Sequence, residues 1–509
     1  MRQRIVESCI AMTLASAALV VALRTGVATR DSLDVLQGVC RELLSGSTEG
    51  RQALVGSCWY GPLPLFISTV FAWFGRFAGV SLLPIAMTAW FGWSLAIYRL
   101  GCLIPACRGT RLLAQLAAAA GIAACGGAVN PAVALPVWLG VQAAGSCADW
   151  AATRRMGALA TLGFTLGALV LCGVSLTGWV VLLMLALAMA TLLAPDVRCR
   201  LPAVLVLGWL PLFYALAVWT LINWLLLGHP LFFVQSLGAA NVLAWQGWPA
   251  SGSIVSRLGV VIGAAAVVLA LVRRRPDGVV LGLLGVGAWV WAHVLGGYTS
   301  GAADPAAGPL SLLLGVAALL RTAVPPPPVV LTDDSRTAVS DTPVAACHPG
   351  VPVVLAGVVL AAMVVGVWRD DFQTSRGERL DQTCRRSWQN EKVYQAVSAY
   401  VQDRTPHGRV FVCGYEGLGL LNNRPADSRL LPNMDLHIYE MRRQYHGQQL
   451  FVLIRRPEGH SAADSVHWRF PDAFRRGFDG AIFARNFGDW RLFEVIGAPT
   501  AEQLRAWRR

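Results

Sequence analysis

The chain has 509 residues, of which 55% are hydrophobic and only 14% charged, and its mean hydropathy is +0.53. That composition excludes a string of soluble domains, a disordered or collagenous chain and a nucleic-acid-binding protein, because charge is too sparse and the apolar runs are too long. The net charge is +13 and every cation but Lys392 is an arginine, a bias that a genome's codon usage explains more simply than a function.

In chain order, apolar runs long enough to cross about 30 Å of hydrocarbon fall near 5–23, 81–99, 112–130, 131–150, 156–174, 176–194, 202–227, 254–272, 278–297, 306–323 and 351–368. The first, preceded by Arg2 and Arg4, has the outline of a signal peptide. No small-residue cleavage site follows it and ten more runs come after, so it reads as the first span. A twelfth segment, 61–79, opens with Pro62 and Pro64 and carries Arg76 near its end. If it crosses, Arg99, Arg108, Arg111, Arg154, Arg155, Arg198, Arg200 and Arg273 to Arg275 all face outward; if it does not, all face the cytoplasm. The positive-inside rule therefore makes 61–79 a re-entrant or surface segment, with Trp73, Phe74 and Phe77 at the interface. Eleven spans then put the N-terminus in the cytoplasm and the C-terminus outside.

The expected organisation is a transmembrane domain over 1–369 and a soluble, external α+β domain over 370–509. The second carries 21 of the 42 cationic and 17 of the 29 acidic side chains. Residues 24–80 form the first external loop, and 325–350, with four consecutive prolines and Asp333, Asp334 and Asp341, form an extended cytoplasmic linker. The external domain shows a helical pattern near 388–403 and strand-like runs at 409–413, 449–454, 480–484 and 491–496. No internal repeat is visible. This topology puts Cys40, Cys58, Cys384 and Cys413 outside and Cys102, Cys107, Cys199 and Cys347 in the reducing cytoplasm. Disulfides Cys40–Cys58 and Cys384–Cys413 and free thiols stand as equal alternatives, and no spacing suggests a metal site.

Five carboxylates face outward on this scheme: Asp31, Asp34, Glu42 and Glu49, clustered in the first loop, and Asp304. A base that takes a proton from a hydroxyl needs such a group. Asp31, in Thr29-Arg30-Asp31-Ser32-Leu33-Asp34, follows the first span closely enough to sit at the membrane surface. It is equally well placed to open a helix as its N-cap.

The stretch Arg30-Asp31-Ser32-Leu33-Asp34, then Cys40-Arg41-Glu42-Leu43-Leu44-Ser45-Gly46, then Tyr60-Gly61-Pro62-Leu63-Pro64-Leu65, resembles the first external loop of GT-C glycosyltransferases. These membrane enzymes use polyprenyl-phosphate sugars and include protein O-mannosyltransferases and the aminoarabinose transferase of lipid A. Asn223-Trp224 through Gly228-His229-Pro230-Leu231-Phe232-Phe233 is similar to a stretch of many bacterial members, and the order of elements matches through the closing Phe487-Gly488-Asp489-Trp490-Arg491-Leu492-Phe493-Glu494-Val495.

The resemblance implies a mainly α polytopic, GT-C-like protein of the bacterial inner membrane with a small C-terminal extracytoplasmic α+β domain. It implies an inverting transferase that moves a sugar from a polyprenyl-phosphate donor to an external lipid, glycan or protein acceptor. Asp31 matches the family's first-loop base, with Asp34 as the second acid. The commoner Asp-Glu pair here has Ser32 in its second position, and a place near the fourth span where another acid is often seen reads Ala128-Val129-Asn130-Pro131. A non-catalytic scaffold and a flippase for lipid-linked glycans are therefore the alternatives, though Glu7 and His293 are nearly all the ionisable groups a transport pathway would have.

Arginine holds phosphate best, by paired hydrogen bonds. Arg24, Arg30, Arg41, Arg51, Arg76 and Arg257 lie outside or at the outer boundary, and Arg257 begins a span at headgroup depth. Snorkelling at the interface accounts for it equally well. Tyr60, His229, Tyr298 and Asp304 join Arg30, Arg41 and Arg257 as candidate substrate-binding groups, with Trp245 and Trp248 able to stack on a sugar or anchor at the interface. No Gly-rich phosphate loop suggests nucleotide chemistry, and no cofactor is expected, with a divalent cation left undecided.

Overall fold

The computed structural model describes residues 2–25, 31–56, 61–75, 83–104, 108–123, 128–173, 177–192, 198–228, 230–231, 254–273, 275–290, 307–323, 376–421, 428–433, 448–457, 466–467, 470–478 and 480–496. The expected span at 351–368 and the linker at 325–350 lie outside these residues. The membrane part consists of α1 (Arg2–Thr25), α2 (Asp31–Ser45), α3 (Thr48–Gly56), α4 (Pro62–Gly75), α5 (Leu83–Leu103), α6 (Arg108–Ala123), α7 (Pro131–Thr153), α8 (Met156–Val170), α9 (Thr177–Leu192), α10 (Leu201–Leu227), α11 (Ile254–Val272), α12 (Pro276–Val290) and α13 (Ala307–Ala323).

Three of these, within α1, α7 and α10, are long and apolar enough to cross a membrane, and six shorter apolar helices accompany them. Their surroundings differ. The apolar window of α7 is 83% buried inside the protein and that of α10 only 17%. Small residues explain the first: Ala143, Ala144, Gly145, Ser146, Cys147 and Ala148 let neighbouring helices approach its backbone. On α10 a single stripe, Val204, Leu212, Ala215, Trp219 and Asn223, faces the protein, while Phe213, Tyr214, Trp224 and Leu225 are exposed. Hydrocarbon is the solvent such a surface suits.

Helix ends carry their own signals. Asn130 opens α7, its Oδ1 accepting from the Ala132 N–H at 2.9 Å with Pro131 in the first turn, so the residue standing where an acid was expected serves as a cap. Gly228 closes α10 at φ +69°.

One end of the bundle is an ionic lattice. Arg99 on α5 pairs with Asp149 on α7 at 3.1 Å, and Arg321 on α13 bridges Asp149 at 3.2 Å and Asp277 on α12 at 2.7 Å. Arg275 pairs with Asp277 at 3.3 Å, and Arg111 on α6 with Glu7 on α1 at 3.1 Å. Of the arginines whose sidedness the sequence scheme linked, Arg99, Arg111 and Arg275 take part in these pairs. At the other end Gly61 N–H donates to the Cys172 carbonyl at 3.2 Å and Leu63 N–H to that of Leu171 at 2.9 Å, fixing the start of α4 to the end of α8. With 14 residues α4 spans about 21 Å, less than the hydrocarbon thickness. It buries Leu65 and Ser68 and exposes Phe66, Trp73 and Phe74.

The C-terminal part contains α14 (Arg376–Arg404), β1 (Arg409–Cys413), α15 (Tyr415–Leu420), β2 (Leu430–Asn433), β3 (Leu450–Arg455), α16 (Ala473–Arg476), β4 (Ala481–Phe487) and β5 (Trp490–Val495). The sheet order is β2-β1-β3-β5-β4, with β1 parallel to β2 and β3, and antiparallel pairs β3–β5 and β4–β5. Alternation along the strands gives two cores. Val410, Val412, Phe451 and Leu453 pack with Val397 and Val401 of α14, while Phe411, Val452, Ile454 and Phe493 pack with Val466 and Phe474.

The expected strands appear with ends shifted by a residue or two, except that β4 runs on to Phe487. The expected helix at 388–403 is the second half of α14. Strand β2 and helix α15 are additions. Pro432 disguises β2 in the sequence, and a proline is tolerated there because β2 is an edge strand.

Candidate functional site

The segment between α1 and α4 folds into two helices. In α2, Leu36, Val39 and Cys40 are buried, an apolar stripe at helical spacing. The chain then reverses at Gly46, φ +74°, where the Glu42 carbonyl accepts from the Ser45 and Ser47 hydroxyls at 2.8 and 3.2 Å. Ser47 Oγ caps α3 by accepting from the Gly50 N–H at 3.0 Å. A Cβ on Gly50 would lie 2.5 Å from the Glu42 carbonyl carbon, so α2 and α3 touch backbone to backbone and form one stiff unit.

Three fastenings hold this unit on the end of the bundle opposite the ionic lattice. Trp219 Nε1–H and Asn223 Nδ2–H of α10 both donate to the Val55 carbonyl at the end of α3, at 2.8 and 3.1 Å. The Gly61 and Leu63 amides bind the end of α8 as described. From the C-terminal part, α15 lies against α2 so closely that a Cβ on Gly38 would meet the Leu418 carbonyl oxygen at 2.5 Å.

Asp31 is the first residue of α2 and Asp34 lies one turn on, so both belong to this roof. Positions 31, 34 and 38 run along one side of the helix, and at position 38 that side abuts α15. The side chains of Asp31, Asp34 and Arg257 lie outside the described set.

Of the other candidates, Arg41 is half-buried in the third turn of α2. Arg51 donates from Nη2 to the Gly46 carbonyl at 3.0 Å, which makes it a brace of the α2–α3 turn. Arg257 belongs to the first turn of α11, whose far end, at Arg273, hydrogen-bonds the Thr322 carbonyl in the lattice layer. Sixteen residues of helix put the backbone of Arg257 about 24 Å along α11 from that layer. Gly228, one residue before His229, ends the helix that holds Val55. Arg24's side chain, Arg30, Tyr60, Arg76, His229, Trp245, Trp248, Tyr298 and Asp304 lie outside what the structure describes.

Cys40 is a buried free thiol, 3.6 Å from the Thr69 hydroxyl of α4, so the alternative of a Cys40–Cys58 disulfide gives way to packing. Burial pushes that thiol up to about 11, and the hydrogen bond from Thr69 only partly offsets this. Cys413 is buried at the end of β1, and the side chain of Cys384 is outside the described set. Among the described residues no three His, Cys, Asp or Glu side chains gather as metal ligands would.

Trp219, Gly38 and Gly50 were not anticipated. Asn223 was noted only as part of a motif. An asparagine in a 27-residue apolar helix is a signal of its own, since a buried amide must find a partner.

No protein-family model and no curated protein matches the chain. Among solved structures it is similar to two crystal structures of ArnT from Cupriavidus metallidurans. For the one bound to undecaprenyl phosphate the identity is 14% and the TM-score 0.44, covering 96% of this chain and 99% of that one. For the one in the apo state the identity is 15% and the TM-score 0.46, covering 96% and 98%.

Proposed function

We propose that the protein is an integral membrane glycosyltransferase that moves a sugar from a polyprenyl-phosphate donor to an acceptor outside the cytoplasm. The observation that carries the reading is the roof. A stiff helix pair beginning at Asp31 is fastened across the end of the bundle, between membrane helices and the soluble part. A lipid-linked donor presents its phosphate and sugar at headgroup depth, which is the depth this reading gives the helix pair.

The arginine lattice then faces the cytoplasm, as the positive-inside rule requires, and the roof and soluble domain face outward. In a single displacement the acceptor oxygen bonds to the anomeric carbon while the bond from that carbon to the phosphate oxygen breaks. The electron pair leaves with the polyprenyl phosphate and the configuration inverts. The acceptor's proton passes to the Asp31 carboxylate, which can follow the charge developing on the attacking oxygen. Asp34 holds the acceptor or the same proton. An arginine at headgroup depth, Arg257 or Arg41, steadies the departing phosphate through charge-assisted hydrogen bonds.

The test is Asp31→Asn in protein reconstituted in lipid and supplied with undecaprenyl-phosphate mannose and undecaprenyl-phosphate aminoarabinose. Transfer or hydrolysis of either donor should fall by a factor of about 100 or more, the range of a lost general base. Equal rates with and without the substitution leave Asp31 no catalytic part and favour a scaffold. Movement of labelled lipid between leaflets with the sugar bond intact favours a flippase.

A further inference from the structure

We infer that Asn223 is a positioning residue, a latch that ties the end of α10 to α3 and, through α3, to the helix that begins at Asp31. The inference deepens the transferase reading and rests on it for its kinetic consequence, though not for its structural one.

Asn223 is fully buried at the outer end of a helix that is otherwise turned largely to lipid. Its Nδ2 hydrogens go to two carbonyls, Val55 at 3.1 Å and Trp219 at 3.0 Å. Both partners are acceptors, so only the amine end of the amide can face them. Its Oδ1 is buried without a partner. For stability alone this is a poor choice, because a leucine of similar size would fill the space and leave no orphaned acceptor. What the amide supplies and a leucine cannot is a directed bond across to α3. Trp219 Nε1, one turn earlier on α10, donates to the same Val55 oxygen at 2.8 Å, so both lone pairs of that carbonyl are taken by α10.

From Val55 the connection is hard throughout. Val55 belongs to the last turn of α3, Gly50 of α3 bears directly on the Glu42–Leu43 backbone of α2, and α2 begins at Asp31. On the other side α10 ends at Leu227, one turn past Asn223, with Gly228 as its cap. The latch therefore joins the end of α10 to the unit that begins at Asp31. Between Asn223 and α2 a displacement passes through a hydrogen bond and a backbone contact.

The experiment uses the full chain in lipid nanodiscs and compares wild type with Asn223→Leu and, as the milder change, Trp219→Phe. Amide hydrogen exchange over 48–56 should accelerate roughly fivefold in each variant, the equivalent of one ordinary hydrogen bond, with 131–153 unchanged. With the two undecaprenyl-phosphate sugars, kcat per monodisperse molecule should fall while the donor KM stays within about twofold, because the base and not the lipid is displaced. Unchanged exchange over 48–56 overturns the latch. So does a loss confined to thermal stability, with kcat per folded molecule preserved, which marks Asn223 as packing only. If instead Asp31→Asn has no effect on transfer, the transferase reading fails, and exchange over 48–56 still decides whether Asn223 holds α3.

Discussion

The two ends of the helix bundle are fastened by different chemistry. At one end Arg99, Asp149, Arg321, Asp277 and Arg275 form an alternating chain of charges across α5, α7, α13, α12 and the approach to α12. At the other, neutral hydrogen bonds and glycine contacts meet backbone carbonyls of Val55, Leu171, Cys172 and Leu418. Charges matched against one another hold a structure together but are consumed by doing so. Under the proposed transfer, an end that received an anionic lipid and gave up a proton would be well served by such neutral contacts. The division of labour is testable: substitutions at the ionic end should cost stability, and those at the roof should cost transfer.

The largest stability effect should come from Arg321→Met. Arg321 is the only described residue that bridges both aspartates, and its side chain and that of Asp277 are 12% and 6% exposed. Removing it leaves Asp277 with Arg275 alone and Asp149 with Arg99 alone, and the lost charge-assisted hydrogen bonds cost about 2 kcal/mol. Unfolding in detergent should move accordingly, and Asp277→Leu in the same chain should recover part of the loss. If Arg321→Met leaves stability unchanged, the ionic end is ornamental and the comparison fails there.

Next comes Gly38→Ala. The added methyl would sit 2.5 Å from the Leu418 carbonyl oxygen, a backbone atom that cannot turn aside, so α15 must lift off α2. Donor turnover should fall by about tenfold, and proteolysis around 415–421 should quicken, with the unfolding midpoint of the membrane part nearly unmoved. Gly157→Ala on α8, where nothing lies within 4 Å of the added atom, is the control and should be neutral or slightly stabilising.

The same contrast governs how much could be read from residues alone. Helices α7 and α11 and strand β1 were legible because length, hydropathy and alternation are local properties. The one-sided arginine layer was legible because a membrane sorts charge by side. The roof was visible as an acidic stretch with a likeness to a known loop, but its fastenings were not. Gly38 and Leu418 are 380 residues apart in sequence, and Val55 and Asn223 are 168 apart. Glycine and a backbone carbonyl carry no pattern that announces such a partner. β2 was hidden by Pro432, and α15, spelled Tyr-Glu-Gly-Leu-Gly-Leu, reads as a turn, whereas its Gly417 serves close packing on Val412.

Thiol chemistry sharpens the comparison by sidedness. Cys199 is exposed beside the arginines of the ionic end, and Cys40 is buried in the roof with its thiol raised to about 11. At pH 8 the smaller thiolate fraction alone should slow alkylation of Cys40 by about a hundredfold relative to an ordinary thiol. A membrane-impermeant maleimide should label Cys199 in inside-out vesicles and not in intact cells. Labelling of Cys199 from outside reverses the orientation and takes the proposed transfer site into the cytoplasm.

The smallest effect belongs to the soluble part. His467 Nε2–H donates to the Arg455 carbonyl at 2.9 Å, while Nδ1 is buried without a partner. Burial holds the imidazole below its ordinary 6.5, and the hydrogen bond to Arg455 opposes this only in part. A folded state that resists protonation binds fewer protons than the unfolded chain once pH drops below that ordinary value. The contribution of His467 is therefore whole above about pH 7 and lost as pH falls through 6.5 toward the folded value. Amide exchange over β3 and over 473–478 should quicken on acidification across this window, and His467→Gln, which keeps a donor for the Arg455 carbonyl and cannot charge, should flatten the response. Because α15 and not the His467 end of β3 touches α2, the roof helices should show no matching change. Exchange that quickens together in β3 and in 48–56 would instead mean that the soluble part and the roof open as one unit.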